Sequence, residues 1–367
     1  MIAFLGFMFA AAVTQGHDPQ TAKEISDRAR ELYDSSQYTE AEPLFRQALE
    51  AWRRLGPEGC RNRAIDLRNL GALLRATGRY GEAEPLLLES LHELQAADDQ
   101  TVEVERALYN LAALYRGKGD LSQAELYARD AVTLVESRPE APTAEKRGPG
   151  LVLASIYLDE GRVREAESLF RGALPGADGA LAVAAYNGLS ASALLQGDYA
   201  AAEESARQAV YFARLALPAG HPALAAAWNN LAQACRLQSK YLEAESGYRQ
   251  AIRAWEATLG PSHPLLAQGL MNFGAFYHER GRETGAEALY LRAAGILEQA
   301  FGKDDPRTLE ARNELAEVLR AERRYTESEK LGRSTLAALR KALRPDDPRL
   351  MRAQSNYARL QATKKGE

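Results

Sequence analysis

The chain has 367 residues, 46% of them hydrophobic and 26% charged, with a formal net charge of -4 from 46 Lys and Arg against 50 Asp and Glu. Opposite charges alternate along the whole length, so no basic field is present to hold a phosphate backbone and nucleic acid is not an expected partner. Gly and Pro are too sparse for a collagen-like or disordered chain, and the two cysteines, Cys60 and Cys235, form no metal-ligand spacing.

At the start, Ile2 to Val13 (IAFLGFMFAAAV) is an uncharged apolar run that ends at Thr14-Gln15-Gly16-His17-Asp18-Pro19. Its length suits the hydrophobic region of a signal peptide and is too short to span a bilayer, and Ala10-Ala11-Ala12 offers a small-residue cleavage site. No Lys or Arg precedes it. The expectation is a signal peptide-like segment over 1–15 and an exported, periplasmic or secreted protein. An N-terminally anchored or a cytoplasmic chain with a misassigned start is the alternative. No membrane insertion is expected beyond this segment.

After it the sequence repeats. Asn69-Leu70-Gly71 recurs as Asn110-Leu111-Ala112, Asn230-Leu231-Ala232, Asn272-Phe273-Gly274 and Asn356-Tyr357-Ala358. Weaker copies at Val152-Leu153-Ala154, Gly188-Leu189-Ser190 and Glu314-Leu315-Ala316, with Asp27-Arg28-Ala29 at the start, complete a ladder of nine whose steps are 42, 41, 42, 36, 42, 42, 42 and 42. Fourteen residues after each of the first eight positions stands a small residue followed by glutamate. The pairs are Ala41-Glu42, Ala83-Glu84, Ala124-Glu125, Ala166-Glu167, Ala202-Glu203, Ala244-Glu245, Ala286-Glu287 and Ser328-Glu329.

Each period divides into two helices, A and B. In the sixth, Leu231, Ala234, Cys235 and Leu237 form an apolar stripe on helix A. Beyond a break at Ser239-Lys240, helix B carries Tyr241, Ala244, Tyr248, Ala251 and Ile252 in the same period. Elsewhere the break is Gly78, Gly119, Gly161, Gly197 or Gly281, suited to the left-handed residue that stops a helix. One hairpin cannot bury both its faces, so neighbours must stack around a continuous core.

This organisation predicts repeats 1–3 over 20–136, an irregular repeat 4 over 137–179, repeats 5–8 and a capping helix over 180–363, and a tail at 364–367. In repeat 4, Arg138-Pro139-Glu140-Ala141-Pro142-Thr143 and Gly148-Pro149-Gly150 replace the start of helix A, and Pro175-Gly176-Ala177-Asp178-Gly179 shortens helix B. The segments 137–150 and 175–179 read either as a joint between two blocks of repeats or as a locally eroded repeat without hinge function. Cys60 is expected in an inter-hairpin loop and Cys235 inside a helix, so no disulfide is expected between them.

A small residue at the third ladder position, an aromatic near the turn (Tyr38, Tyr80, Tyr199, Tyr241, Tyr325) and alanine in helix B resemble the tetratricopeptide repeat, TPR. The 42-residue period, closed by units such as Leu259-Gly260-Pro261-Ser262-His263-Pro264 and Phe301-Gly302-Lys303-Asp304-Asp305-Pro306, resembles the kinesin-light-chain subtype. The resemblance covers about 22–363. It implies an all-α fold, an α-solenoid of about eight hairpins with a C-terminal capping helix. It also implies a concave groove, lined mainly by A helices, that binds extended peptide segments. The family's motor role is not carried over.

No GxSxG, HExxH, P-loop or dinucleotide fingerprint is present, and neither catalysis, cofactor nor metal is expected. His17, His92 and His278 are isolated, whereas His221 and His263 precede proline in equivalent loops whose later counterparts carry Asp305 and Asp347, a helix-start pattern. The glutamate ladder is expected to complement helix N-termini or pair with a neighbouring repeat's arginine. The resemblance places Asn69, Asn110, Asn230, Asn272 and Asn356 on the concave wall, where a carboxamide can read a peptide backbone. Six residues further on, Arg75, Arg116, Arg236, His278 and Arg320 form a column bordering the groove and would favour acidic or C-terminal carboxylate groups. The competing reading has Asn tying A helices together and Arg solvated. Function is therefore read as a non-catalytic scaffold for protein or peptide partners, or as an envelope assembly subunit that uses its convex face or end repeats.

Overall fold

The computed structural model describes residues 18–97, 102–138, 143–177, 179–218 and 220–366. The signal-like segment 1–15 lies outside them, as do 139–142 and 178 of the irregular repeat and residue 367 of the tail. All regular structure among the described residues is helical. In chain order the α-helices are α1 (Pro19–Asp34), α2 (Tyr38–Arg54), α3 (Cys60–Ala76), α4 (Tyr80–Ala96), α5 (Val102–Lys118), α6 (Leu121–Glu136), α7 (Thr143–Asp159), α8 (Val163–Ala173) and α9 (Gly179–Gln196). They continue as α10 (Tyr199–Ala216), α11 (Pro222–Leu237), α12 (Tyr241–Leu259), α13 (Pro264–Glu279), α14 (Glu283–Phe301), α15 (Pro306–Ala321), α16 (Tyr325–Ala342) and α17 (Pro348–Gly366). Odd-numbered helices are the A helices. They pair with the following even-numbered B helices as eight hairpins, and α17 stands as the capping helix.

The break between A and B has one geometry throughout. Five residues before each small marker residue, Ser36, Gly78, Gly119, Gly161, Gly197, Ser239, Gly281 and Arg323 all have positive φ, between 60° and 86°. The residue after each sends its N–H back to a carbonyl five positions earlier, as in Arg162 to Tyr157 at 2.7 Å and Lys240 to Cys235 at 2.8 Å. This bond is the outer one of a Schellman ending, which satisfies a carbonyl the helix leaves orphaned. The next helix begins at once, often on the tyrosine of the repeat pattern, as at Tyr80 and Tyr241.

Small residues then set the helix separation. A Cβ added to Gly71 would lie 2.6 Å from Leu87 Cγ, and one added to Gly274 would lie 3.0 Å from Tyr290 Cζ, so the B helix rests on the backbone of its own A helix. The markers Ala41, Ala83, Ala124, Ala166, Ala202, Ala244 and Ala286 are all fully buried.

The chain divides into two compact units, Met1–Ala223 and Leu224–Glu367. Within the first, successive A helices touch one another, α1 with α3, α3 with α5, α5 with α7 and α7 with α9, so the A face lines one side of the stack. A single core joins Ala112, Ala124 and Ala128 to Leu153, Ala154 and Phe170 and on to Ala185 and Leu189, spanning the irregular hairpin from both sides. In the second unit Cys235, Tyr248, Phe273, Phe276, Tyr290 and Val318 share a core across three hairpins.

Two expectations need correction. Gly148-Pro149-Gly150 does not replace the start of α7 but lies inside it, since the helix begins at Thr143. Pro149 deletes one intrahelical bond within the second turn, as Pro43 and Pro85 do in α2 and α4, and the buried stripe Leu151, Leu153, Ala154, Ile156 and Tyr157 that follows holds the helix regardless. Cys60 opens α3 instead of sitting in a loop. Cys60 and Cys235 are not joined by a disulfide. Helix α8 is short, 11 residues, as the 36-residue step predicts.

Candidate functional site

The loop residues expected to start helices do so. His221 Nδ1 accepts from the Ala223 N–H and His263 Nδ1 from the Leu265 N–H, each at 3.1 Å, while Asp305 and Asp347 accept from Arg307 and Arg349 at 2.9 Å. Each imidazole accepts through Nδ1 and therefore carries its proton on Nε2. No group of three or more His, Cys, Asp or Glu fit to hold a metal occurs among the described residues.

The glutamate ladder is an ion-pair rail along the B helices. Glu42 meets Arg79, Glu125 meets Arg162, Glu245 meets Arg282 and Glu287 meets Arg324 of the following hairpin, at 2.6–3.2 Å. A second arginine, four residues after the glutamate on the same helix, closes the rail at Arg46, Arg129, Arg171, Arg207, Arg249 and Arg333. The sequence reading missed this Glu-x-x-x-Arg spacing, although it stands in six of the eight repeats. Where leucine replaces the arginine at Leu88, Glu84 takes Lys118 at 2.5 Å and Tyr115 at 2.8 Å instead.

The asparagine ladder is unevenly available. Asn110 is buried and donates to the Arg106 carbonyl at 2.8 Å, and Asn356 is buried and accepts from Arg359. Asn69 accepts from Arg68 at 2.9 Å, and its amide reaches Asp66 at 3.5 Å. Asn272 donates at 3.2 Å to Asn229, one position ahead of Asn230. Asn187, one position ahead of Gly188, likewise donates to the Ala223 carbonyl at 3.1 Å. Contacts between neighbouring A helices thus use the residue one before the ladder, Asn187 and Asn229, the second of them meeting the ladder residue Asn272, and this earlier position is signalled only by the doublet Asn229-Asn230. Asn230 is partly exposed.

The basic column is largely spent within the protein. Arg116 binds Asp159 at 2.6 Å and Arg236 binds Glu279, both on the next A helix. His278 Nδ1 meets Glu283 at 2.6 Å, and Arg320 binds Glu317 at 2.6 Å, where Arg359 also approaches at 3.4 Å. Nearby, Arg352 faces both Glu310 and Glu314, whose carboxyls burial pushes upward in pKa against its pull. Arg75 differs from the rest. Its guanidinium makes no hydrogen bond or ion pair among the described residues, and its Nε is buried without a partner. Beside it lies the Tyr33 phenol, whose pKa burial raises while the Arg75 charge opposes the rise and Tyr38 and Tyr109 add to it.

Comparison with known proteins fits these repeats. A profile described as Tetratricopeptide repeat matches residues 9–92, 67–137, 223–299 and 266–340, and a second of the same description matches 183–223. The chain belongs to the tetratricopeptide-repeat family. Repeats of this family typically mediate protein and peptide interactions and are usually non-catalytic. No curated protein matches the chain. Among solved structures it resembles the apo quorum sensor NprR from B. thuringiensis, with 15% identity, TM-score 0.61, and 92% of this chain and 93% of that one covered. A Rap protein complexed with Competence and Sporulation Factor gives 15% identity, TM-score 0.58, and coverage of 95% and 98%. The kinesin-light-chain-like BtubC from P. vanneervenii gives 21% identity, TM-score 0.47, and coverage of 63% and 94%. These likenesses concern the fold.

Proposed function

We propose that this tetratricopeptide protein is a non-catalytic scaffold whose A-helix wall in the first unit binds an extended protein segment bearing a carboxylate. One observation carries the reading: of the five basic residues in the column, Arg75 is the one with no carboxylate beside it among the described residues. An unpaired, half-buried guanidinium is costly to keep, and a bound carboxylate relieves that cost with charge-assisted hydrogen bonds. The Rap structure, of the same fold, holds Competence and Sporulation Factor, which lends support from the fold alone.

The test is a peptide array drawn from exported proteins, probed with residues 20–367 carrying Arg75→Gln, Arg320→Gln, or Asn230→Ala with Asn272→Ala. Losing one charge-assisted contact of about 1.5–3 kcal/mol weakens binding of acidic peptides about 10- to 150-fold in Arg75→Gln. Arg320→Gln leaves it unchanged. Equal binding by wild type and Arg75→Gln sinks the proposal.

Assembly through the B-helix face is the second reading. It has in its favour Tyr211 and Leu215, 57% and 69% exposed one turn apart on α10. Crosslinking that captures a fixed partner through α10 with the A face empty would favour it. We further propose export, on the apolar run Ile2 to Val13, and N-terminal sequencing of the protein from culture fractions tests that.

A further inference from the structure

In the first unit a cleft of about 210 Å³ opens between α1 and α3, with Asp66 and Trp52 in its floor, Ser26 and Asn69 beside them, and Ile65 as an apolar wall. Asp66 is only 2% exposed. Its Oδ2 accepts from Trp52 Nε1 at 2.8 Å and from the Ser26 hydroxyl, while Oδ1 has only the Asn69 amide at 3.5 Å, the outer limit of a hydrogen bond. All three donors are neutral. The cations around the cleft are committed elsewhere: Lys23 and Arg30 both bind Asp27, and Arg68 binds Glu103.

A carboxylate at this register is not needed for packing. Of the eight other positions at this register, six are small, Ala107, Ala185, Ala227, Gly269, Ala311 and, in the capping helix, Ala353, while the remaining two are Glu24 and Pro149. Nor does the tryptophan require it. Trp255 stands at the register of Trp52, lies against Gly269, and keeps its buried indole N–H without an acceptor. The protein therefore buries an acid that its own scaffold does not require, with only the charge of Arg68, itself bound to Glu103, acting on it, one oxygen nearly unused and a cleft beside it.

We propose that this cleft is a binding site for a cationic nitrogen, an alkylammonium whose charge meets Asp66 Oδ1 and whose stem packs on Ile65 and the Trp52 ring. Burial raises the Asp66 pKa against the hydrogen bonds from Ser26, Trp52 and Asn69 and the Arg68 charge, and a cation docked at Oδ1 would oppose that rise. The shared chemistry has two sources in a protein partner, a lysine side chain or an N-terminal amine. The inference rests on the A-helix wall being a binding surface, and it adds a cation-selective point on α3, the helix that also carries Arg75.

The chain has three tryptophans, Trp52, Trp228 and Trp255, so its indole N–H resonances in a 15N-labelled sample are few and resolvable. The full chain is titrated with n-butylammonium, standing for the lysine stem, with alanyl-alaninamide, standing for an N-terminus, and with butyrate as the anionic control. A saturable shift of the Trp52 resonance, in the millimolar range suited to ligands this small, is expected with one or both amines and not with butyrate. The tighter amine identifies the source. Asp66→Asn, which keeps the shape, and Asp66→Ala, which installs the commonest residue at this register, should each weaken the response at least 10-fold. No saturable shift with either amine, an equal shift with butyrate, or an undiminished shift in both variants overturns the proposal. The probes are absent from the peptide array, so a silent array with a responsive Trp52 sinks only the peptide reading, and the reverse sinks only this one.

Discussion

Two glycine-to-alanine substitutions should move stability in opposite directions for reasons visible in the packing. Gly295 lies inside α14 with nothing within 4 Å of a Cβ placed on it. Gly295→Ala removes backbone freedom from the unfolded chain without contact cost and should stabilise by about 0.5–1 kcal/mol. Gly188 lies inside α9, and a Cβ there would come within 3.0 Å of three atoms of the Phe170 ring. That ring is 1% exposed and belongs to the core spanning the irregular hairpin, so it has no free space to swing into. Overpacking of this kind costs about 1–3 kcal/mol, and contacts as close as 2.3 Å to a packed ring place it at about 2–3 kcal/mol, so against a helix-propensity gain of about 1 kcal/mol the net loss is about 1–2 kcal/mol. At about 2–4 °C per kcal/mol for a unit of this size, thermal melts followed by circular dichroism should show Gly188→Ala falling by about 2–8 °C while Gly295→Ala rises. In a Phe170→Leu background the alanine should cost less than in the parent, because the two residues share one contact. A Gly188→Ala protein that melts at or above the parent would refute the close approach on which this reasoning depends.

His221 caps α11 as a neutral acceptor, and burial lowers its pKa from the ordinary 6.5. Its contribution is intact above about 6.5 and is lost as the pH falls through the folded value, because the unfolded chain takes up the proton first. Urea melts between pH 7.5 and 5 should lose part of their slope in His221→Asp, which keeps the cap as Asp305 and Asp347 do; an unchanged slope would remove His221 as its source. Glu42→Gln takes one rail carboxylate from both Arg46 and Arg79 and should cost about 0.5–1 kcal/mol at low salt, shrinking at 1 M NaCl. A cost independent of salt would mean the loss is not electrostatic. Replacing the tyrosine at the stacked core position, Tyr248→Ala, should cost about 3–5 kcal/mol by denaturant melt, since its ring is fully buried against Phe273 and Phe276.

The fold was legible because each hairpin repeats the same three constraints in phase: a small residue at the third ladder position, a left-handed break, and a small marker before glutamate. The exceptions were legible as exceptions but not in their cause. Gly188 reads as a weak copy of the asparagine ladder, yet it is glycine because the Phe170 ring of the shortened α8 occupies the space of a side chain. Asp66 reads as an ordinary polar residue of a helix until its six small counterparts are set beside it. The Gly-Pro-Gly of α7 reads as a breaker because local propensity carries no information about the buried stripe that follows it.

The basic column shows why site residues resist reading one repeat at a time. Register within a helix places Arg75, Arg116, Arg236, His278 and Arg320 alike, but the partner arrives from another part of the repeat. For Arg116 and Arg236 it stands 43 residues on, at Asp159 and Glu279. Forty-three residues after Arg75 is Lys118, which is itself taken by Glu84. The same offset from His278 and Arg320 falls on Ala321 and Thr363, and there the carboxylate comes from their own hairpin, Glu283 and Glu317. Arg75 has no acid at either offset, since residue 72, three before it, is alanine and residue 80, five after it, is tyrosine. An unspent charge on a repeat scaffold is therefore a property of the pair formed by two neighbouring hairpins, and a search for such sites has to compare residues one period apart before it compares them with a ligand.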